Sequence, residues 1–272
     1  MIVHDLHVHS VRSACGVHTL LEIVEIASQK RIRTVNISDH GSASGMHVNF
    51  GVVSDGRRCP RSMRSRNGRE VRVLFGIEVN ILSSAGESDY PPESGGGLDL
   101  ISAGFHRGSA PGLFLAGSPH DNTAALQCYL ERHPLDLLTH PCSKKFPLDI
   151  ELLLRLAVQH GFALEVNNTN LVLDKTDLSQ LSKMVVMAHE AGVPLVECSD
   201  GHTFVEIGEN TAINAFLASI DMGGDELLLN RDDEALTSFL EDRKARRHSA
   251  EGDSSLALTV MPAMAQGEGH IG

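Results

Sequence analysis

Two histidines stand one residue apart in the N-terminal stretch "HDLHVHS", where His7 and His9 follow Asp5 at the end of a short apolar segment. In a β-strand, residues i and i+2 project to the same side, so the two imidazoles can reach one metal ion. Paired histidines also occur by chance on protein surfaces, and the motif alone does not establish a metal site. Other parts of the chain must supply further ligands.

The same residue types recur wherever a strand is predicted to end. Imidazole and carboxylate donors suit zinc, manganese or iron, and a carboxylate such as that of Glu78 can bridge two ions. Since one ion takes about four to six ligands, so many donors predict a cluster of two or three divalent metal ions. In chain order, the donors are His7, His9, Asp39, His40, Glu78, His106, His140, Glu165, Asp200 and His202.

Alternating strand and helix patterns position these residues. The helical spacing of "TLLEIVEIASQKR" precedes the β-branched stretch "IRTVNISDH". Two further helices, in "LDIELLLRLAVQHG" and "LSQLSKMVVMAHEAG", each end at a glycine and precede the strands "FALEVNN" and "VPLVECSD". Other strands are predicted in "MIVHDLH", "VRVLFGIEVNI", "LDLISAGFH", "LDLLTHP" and, with a weaker pattern, "ELLLN". About seven strands separated by helices or long loops predict an α/β fold, a closed parallel barrel whose strand ends meet at one rim.

Composition narrows the classes of function. The 272 residues fit one α/β barrel domain, and a net charge of −12 argues against a nucleic-acid or membrane-surface partner. No apolar run approaches the length of a membrane span and the N-terminus lacks a signal-peptide pattern, so we expect a cytoplasmic protein. The five cysteines have neither the even number nor the spacing of a disulfide or zinc-ribbon framework, which predicts reduced thiols.

The motifs "DLHVHS", "SDHGS", "GIEVN", "GFH", "THP" and "SDGHT" together resemble the PHP family, the polymerase and histidinol phosphatase superfamily. The likeness runs to about residue 240 and is greatest to the small stand-alone phosphatases with a three-metal site. It implies a distorted seven-stranded TIM-like barrel, the metal site at the carboxyl ends of its strands, and hydrolysis of phosphoesters. We expect residues 1–247 to form this domain and residues 248–272 to be a flexible tail.

The resemblance also implies how the ligands are shared. His7, His9, Glu78 and Asp200 would hold the first ion, Glu78, His106 and His140 the second, and His40 and His202 the third. The stand-alone phosphatases usually have a His or Asp in the loop after the first motif, and Cys15 stands at that place here. A thiolate can bind zinc, so Cys15 could complete the third position; His18 is the alternative, and a cysteine without a ligand role is equally compatible with the sequence.

Several side chains near the strand ends are candidates for catalysis. Asp200 or His202 could protonate the leaving alkoxide, and Arg107 could hold a phosphate oxygen or simply be solvated. Asp5 and Asp39 are candidates to orient imidazoles, or else to stabilise turns. Residues 41–70 are predicted to form a long excursion, and the arginines of residues 57–72 form either a lid or, the interpretation we favour, a solvated loop.

The sequence thus predicts a metal-dependent phosphatase acting on a small phosphorylated metabolite, with zinc favoured and manganese or iron as alternatives. Histidinol phosphate is one candidate substrate of the same class. A non-catalytic PHP module, as attached to some DNA polymerases, is a further alternative, although such copies lose ligands. An amidohydrolase fits less well because its bridging lysine and later ligand order do not match. A homo-oligomer is compatible with the sequence.

Overall fold

An eight-stranded sheet forms the centre of the computed structural model, which describes residues 1–13, 15–44, 58–91, 97–106, 117–224 and 227–258, with side chains up to residue 249. The β-branched and apolar runs of the sequence form these strands, which are buried over most of their length. They are β1 (His4–Val8), β2 (Thr34–Ile37), β3 (Ser62–Arg64), β4 (Glu70–Asn80), β5 (Leu100–Gly104), β6 (Leu137–Leu138), β7 (Ala163–Asn167) and β8 (Leu195–Cys198).

Seven of the strands run parallel in the order β1-β2-β4-β5-β6-β7-β8, and β3 pairs antiparallel with β4. The sheet closes where β1 meets the residues after β8: the His9 amide donates to the Gly201 carbonyl at 2.9 Å, and the Gly201 amide donates to the His7 carbonyl at 3.2 Å. The prediction of a distorted seven-stranded TIM-like barrel is therefore confirmed.

Helices join the strands and cover the outside of the barrel. Their ends follow local sequence rules: Thr19 and Glu22 form a capping box at the start of the first helix, and Gly161 and Gly192 end two others in the left-handed conformation. The helices are α1 (Leu20–Gln29), α2 (Pro119–Leu130), α3 (Ile150–His160), α4 (Asn168–Val172), α5 (Leu178–Ala191), α6 (Thr211–Ser219) and α7 (Asp233–Leu258).

The amino-terminal end of the barrel is filled by apolar side chains and covered by α7. Leu236 and Leu240 of α7 pack against a cluster of interior strand residues that includes Leu6 and Leu137. Arg243 and Arg247 of the same helix both bind the fully buried carboxylate of Asp136. Apolar packing and this ion-pair network close the amino-terminal end of the barrel. A polar site can therefore form at the opposite end, where the carboxyl ends of the strands meet.

Two parts of the chain differ from the sequence prediction, and the predicted tail is described only as far as residue 258. The described part of "ELLLN", residues 227–230, is not a strand: Leu228 makes an isolated bridge to Leu195, and Leu229–Arg231 form a 3-10 turn. The predicted excursion contains β3, which pairs with the start of β4, far from the strand ends that carry the histidines. Helix α7 continues across position 247 to Leu258, and the tail residues from 259 onward lie outside the described part of the chain.

Candidate metal centre

Glu78 stands at the centre of the converging side chains at the carboxyl end of the barrel. Its Oε1 lies 3.1 Å from Nε2 of both His106 and His140, and its Oε2 lies 2.9 Å from Nδ1 of His40 and 3.3 Å from Nε2 of His7. Burial raises the pKa of Glu78, but His7, His106 and His40 outweigh it and hold that pKa well below its ordinary value. One carboxylate therefore faces imidazoles from four different segments, as a bridging ligand would.

His7 and His9 present nitrogen lone pairs to the same point. Nδ1 of His7 lies 2.7 Å from Oε1 of Glu165, and Nδ1 of His9 lies 3.0 Å from the hydroxyl of Ser13. The Ser13 hydroxyl donates to Asp39 at 2.7 Å, so it accepts the His9 proton. These partners place the protons of the neutral imidazoles on Nδ1 and leave both Nε2 atoms free to bind a metal.

The two Nε2 atoms are only 3.0 Å apart. Two neutral imidazoles that both point lone pairs at this gap cannot form a hydrogen bond, and they repel each other unless a cation lies between them. Burial lowers the pKa of His7, but the carboxylates of Glu78, Glu165 and Asp200 outweigh it and raise that pKa well above its ordinary value. The surroundings therefore favour a positive charge at this position.

Two further buried atoms lack a hydrogen-bond partner of acceptable geometry. Nδ1 of His40 and Oε2 of Glu78 approach each other to 2.9 Å, yet neither makes a hydrogen bond among the described residues. A buried polar atom without a hydrogen bond of good geometry is costly, and a metal ion coordinated by both atoms would satisfy them. The donor set fits divalent cations.

Asp200 and His140 reach the centre from strained backbone. Both follow strand ends and have left-handed conformations, with φ of 53° and 36°, which non-glycine residues rarely adopt. Asp200 Oδ1 lies 3.3 Å from Nε2 of His9, and Asn167 donates to Oδ2 at 3.2 Å. Burial raises the pKa of Asp200, but His7 and His9 lower it well below its ordinary value. Strain of this kind is typical of residues whose position matters for function.

Gly104 leaves room for two of the imidazoles. A Cβ atom at this position would lie 2.4 Å from the Thr139 hydroxyl oxygen, 2.8 Å from His140 and 3.2 Å from His106. Contacts this short cannot be accommodated without moving a ring. The glycine is therefore needed for His106 and His140 to lie beside Glu78.

Cys15 and His202 extend the centre toward the rim of the barrel. The sulfur of Cys15 and imidazole nitrogens of His9 and His202 all lie within 4.8 Å of one another. Burial raises the pKa of the Cys15 thiol, but contacts with His202, His40 and His9 lower it more strongly, to about 3. His18, the alternative to Cys15, belongs to none of the donor groups found in the described residues, and its ring lies beside Phe204.

The structure groups the donors differently in one respect from the sequence prediction. A nitrogen of His40 lies close to donor atoms of Glu78 and His106. His9 belongs to two groups, one with His7 and Glu78 and the other with Cys15 and His202. Arg107 lies outside the described residues. The nine predicted metal ligands themselves all lie in one continuous cluster: His7, His9, Cys15, His40, Glu78, His106, His140, Asp200 and His202.

The contacts of Asp39 and Asp5 show the structural roles that the sequence did not decide. Asp39 acts on His9 through Ser13, whereas Asp5 accepts hydrogen bonds from Ser199 and the Gly208 amide and contacts no imidazole ring in the described part of the chain. Sequence reasoning missed Ser13 and did not give Asn167 its role between Glu165 and Asp200. The signal for Asn167 was its place two residues after a strand-end carboxylate, on the same side of the strand.

The arginine-rich hairpin formed by β3 and the start of β4 does not cover the centre in the described residues. Arg61 forms an ion pair with Asp99, and Arg64 forms one with Glu70. Arg61 precedes β3 and Arg64 is its last residue, and β3 pairs with Glu70, Val71 and Arg72 at the start of β4. Glu78 is eight residues beyond Glu70 on β4, so these two arginines lie toward the other end of that strand from the centre.

Comparison with known proteins gives the family. No family model matches the chain. A probable phosphatase of Shewanella sp. (strain MR-4) is 32% identical over 240 residues, covering 88% of this chain and 91% of that protein. The chain belongs to this family of probable phosphatases. Another member, from Shewanella halifaxensis (strain HAW-EB4), is 31% identical over 255 residues, covering 93% of this chain and 97% of its own. The predicted enzyme class, a phosphatase, is that of the family.

Solved structures share the fold at low sequence identity. The histidinol phosphate phosphatase of Lactococcus lactis, complexed with zinc, L-histidinol and phosphate, superposes with a TM-score of 0.51 and 14% identity, covering 79% of this chain and 92% of its own. A chain from a structure of archaeal ribonuclease P with mature tRNA has a TM-score of 0.55 and 15% identity. The match covers 89% of this chain and 92% of that chain. At this identity, the likeness concerns the fold alone. No helix of the described residues is long and apolar enough to cross a membrane.

Proposed function

We propose that this protein is a metal-dependent phosphoesterase of the PHP superfamily, which hydrolyses a small phosphomonoester at a cluster of two or three divalent ions. The single observation that carries the proposal is the position of Glu78, whose two oxygens face imidazoles from different segments. Imidazole and carboxylate donors favour zinc, with manganese and iron as alternatives. Residues 1–247 form the proposed catalytic domain.

The nine clustered side chains divide among three ion positions. The first comprises His7, His9, Glu78 and Asp200, and the second comprises Glu78, His106 and His140. The third comprises Cys15, His40 and His202, and it borders the other two because Cys15 and His202 group with His9 while His40 groups with Glu78 and His106. Contacts across the cluster support shared use of Glu78 by the first two positions, because its oxygens approach His7 on one side and His140 on the other.

Divalent ions at this place would lower the pKa of a bound water and neutralise the charge of the phosphate oxygens. The chain's own residues keep the ligands in position for this. Glu165 holds His7, Ser13 with Asp39 holds His9, and the Asp200 carbonyl accepts the Nδ1 proton of His202 at 2.8 Å. Ligands fixed before the substrate arrives need no reorganisation during the reaction.

The leaving alkoxide needs a proton, and Asp200 and His202 are the two proposed donors. Both oxygens of Asp200 have partners inside the centre, Asn167 and His9, whereas His202 is about a quarter exposed at the rim. Each also belongs to the proposed ligand set, so only one that is free of metal at that step can donate. Arg107, the next residue after His106 in the sequence, is the proposed contact for a phosphate oxygen.

Hydrolysis of an aryl phosphate with and without a strong chelator tests the proposal. We expect turnover by the purified protein that the chelator abolishes and that added zinc or manganese restores. Glu78→Gln should reduce turnover by at least about 100-fold, since it removes the bridging charge, whereas Glu87→Gln, at an exposed position, should not. Turnover that is unaffected by the chelator or by Glu78→Gln would overturn the proposal.

A further inference from the structure

Cys15 gives one end of the cluster a donor set that differs from the rest. The other donor groups of the described residues contain only nitrogen and oxygen: His7 and His9 with Glu78, and His40 and His106 with Glu78. We infer that the position beside Cys15 and His202 is a sulfur-liganded site selective for zinc, while the remaining positions also accept manganese or iron. This inference rests on the proposed metal centre.

The geometry around Cys15 is that of a shared ligand site. The sulfur of Cys15 and imidazole nitrogens of His9 and His202 lie within 4.8 Å of one another. The rings of His9 and His202 stack with centroids 4.5 Å apart. Nδ1 of His202 is used by the Asp200 carbonyl, which leaves its Nε2 lone pair for a metal.

The loop that carries Cys15 is held in place by its own contacts. Gly16 packs directly on the segment that follows β1, since a Cβ there would lie 2.5 Å from the carbonyl oxygens of His9 and Ser10. Before Cys15, Asp39 accepts hydrogen bonds from the amide and the hydroxyl of Ser10. After Cys15, the Val17 amide donates to the His202 carbonyl at 3.1 Å. Backbone contacts thus bring Cys15 to His202 without a metal.

The other cysteines have different surroundings. Cys142 is buried with its sulfur 3.6 Å from that of Met184, and Cys198 packs in the apolar interior of the barrel. Neither they nor Cys59 and Cys128 belong to a donor group among the described residues. Cys15 is therefore the thiol that can act as a ligand, and Cys128, half-buried on α2, is a matched control.

Ligand chemistry sets the selectivity. Thiolate is a soft donor that favours zinc, and manganese has the lowest affinity of the first-row divalent ions for nitrogen and sulfur sites. Carboxylate and imidazole sets tolerate both metals. A protein offered manganese in excess of zinc should therefore retain zinc beside Cys15 while manganese fills the other positions.

Cobalt substitution tests the inference directly. Full-length protein is stripped with chelator and reloaded with cobalt(II), for wild type, Cys15→Ser, Cys15→His and Cys128→Ser. We expect a sulfur-to-cobalt charge-transfer band in wild type and Cys128→Ser that is absent from both Cys15 variants. Reloading with zinc should give one ion fewer per chain in Cys15→Ser. Cys15→His should recover that ion but lose the preference for zinc over manganese.

The outcomes separate this inference from the proposed function. Cobalt-loaded wild type without a charge-transfer band, or a Cys15→Ser variant with unchanged zinc content, would overturn the sulfur site while leaving the phosphoesterase intact. Wild-type protein that binds neither cobalt nor zinc would overturn both. Because the band is measured on wild type, misfolding of a variant cannot hide the answer.

Discussion

The carboxylate of Glu165 lies 2.7 Å from Nδ1 of His7, although 158 residues separate them in the chain. Its other oxygen accepts the backbone amide of His140 at 2.5 Å and the side-chain amide of Asn167 at 3.0 Å. The buried carboxylate of Glu165 on β7 thus positions two candidate ligands. It orients the ring of His7 on β1, and it holds the backbone that carries His140 after β6. Such contacts fix ring orientation and proton position before any metal binds.

Loss of Glu165 should therefore weaken metal binding without removing a ligand. We expect Glu165→Ala to lower zinc affinity by roughly 10- to 100-fold, because the His7 ring loses its orienting partner. Competition with a chromophoric chelator measures this. Glu151→Ala, which removes an exposed ion pair with Lys183, should leave the affinity unchanged. Equal zinc affinity in Glu165→Ala and wild type would show that His7 needs no such partner.

A methyl group at position 104 should disturb the second ion position. Gly104→Ala places a carbon 2.8 Å from the ring of His140 and 2.4 Å from Thr139. We expect a destabilisation of about 1–3 kcal/mol from overpacking and a loss of turnover from displaced imidazoles. Thermal unfolding and aryl phosphate hydrolysis give the two readouts. Gly223→Ala, where nothing lies within 4 Å of the added carbon, is the control; a fully active Gly104→Ala would contradict the packing argument.

Leaving-group dependence identifies the proton donor. An alkyl phosphate releases a poor leaving group that needs protonation, whereas nitrophenyl phosphate releases one that does not. Substituting the donor should therefore cost roughly 100-fold or more on the alkyl ester, and much less on the aryl ester. Asp200→Asn and His202→Gln are compared on both substrates. If each variant loses both activities equally, neither residue is the proton donor.

Metal removal should lower the stability of the protein. Glu78, His7 and His9 are almost completely buried, and a cation offsets the cost of burying their charge and unpaired lone pairs. Ligand at about 100 times its dissociation constant should stabilise the fold by about 2.7 kcal/mol. We expect the melting temperature to fall after chelation and to recover with zinc. Recovery should be reduced in Glu78→Ala, and identical melting curves with and without metal would refute the expectation.

The strand-end pattern made much of the architecture predictable. Isolated donors such as His106 and His140 carry little information alone, but their recurrence at one end of each strand predicted that they converge. Parallel strands in a closed barrel bring those ends to one rim, and the barrel is confirmed. The assignment of individual ligands to ions stays a prediction until metal is measured.

Tertiary contacts explain what the sequence left undetermined. The link from Asp39 through Ser13 to His9 depends on a loop path that periodicity does not encode. The weak pattern "ELLLN" forms a turn because Asn230 donates to the carbonyls of His4 and Glu197, so the chain is held between strands rather than extended as one. Short strands such as Ser62–Arg64 likewise gain their structure from the neighbour they pair with.

The most direct measurement is elemental analysis of the protein purified without chelator, with wild type and Glu78→Gln prepared in parallel. A cluster organised around Glu78 predicts two or three ions per wild-type chain, with zinc the main element, and the loss of at least one ion in the variant. Fewer than one bound ion per chain in wild type after dialysis against zinc, or equal content in the two proteins, would contradict a metal centre built on this carboxylate.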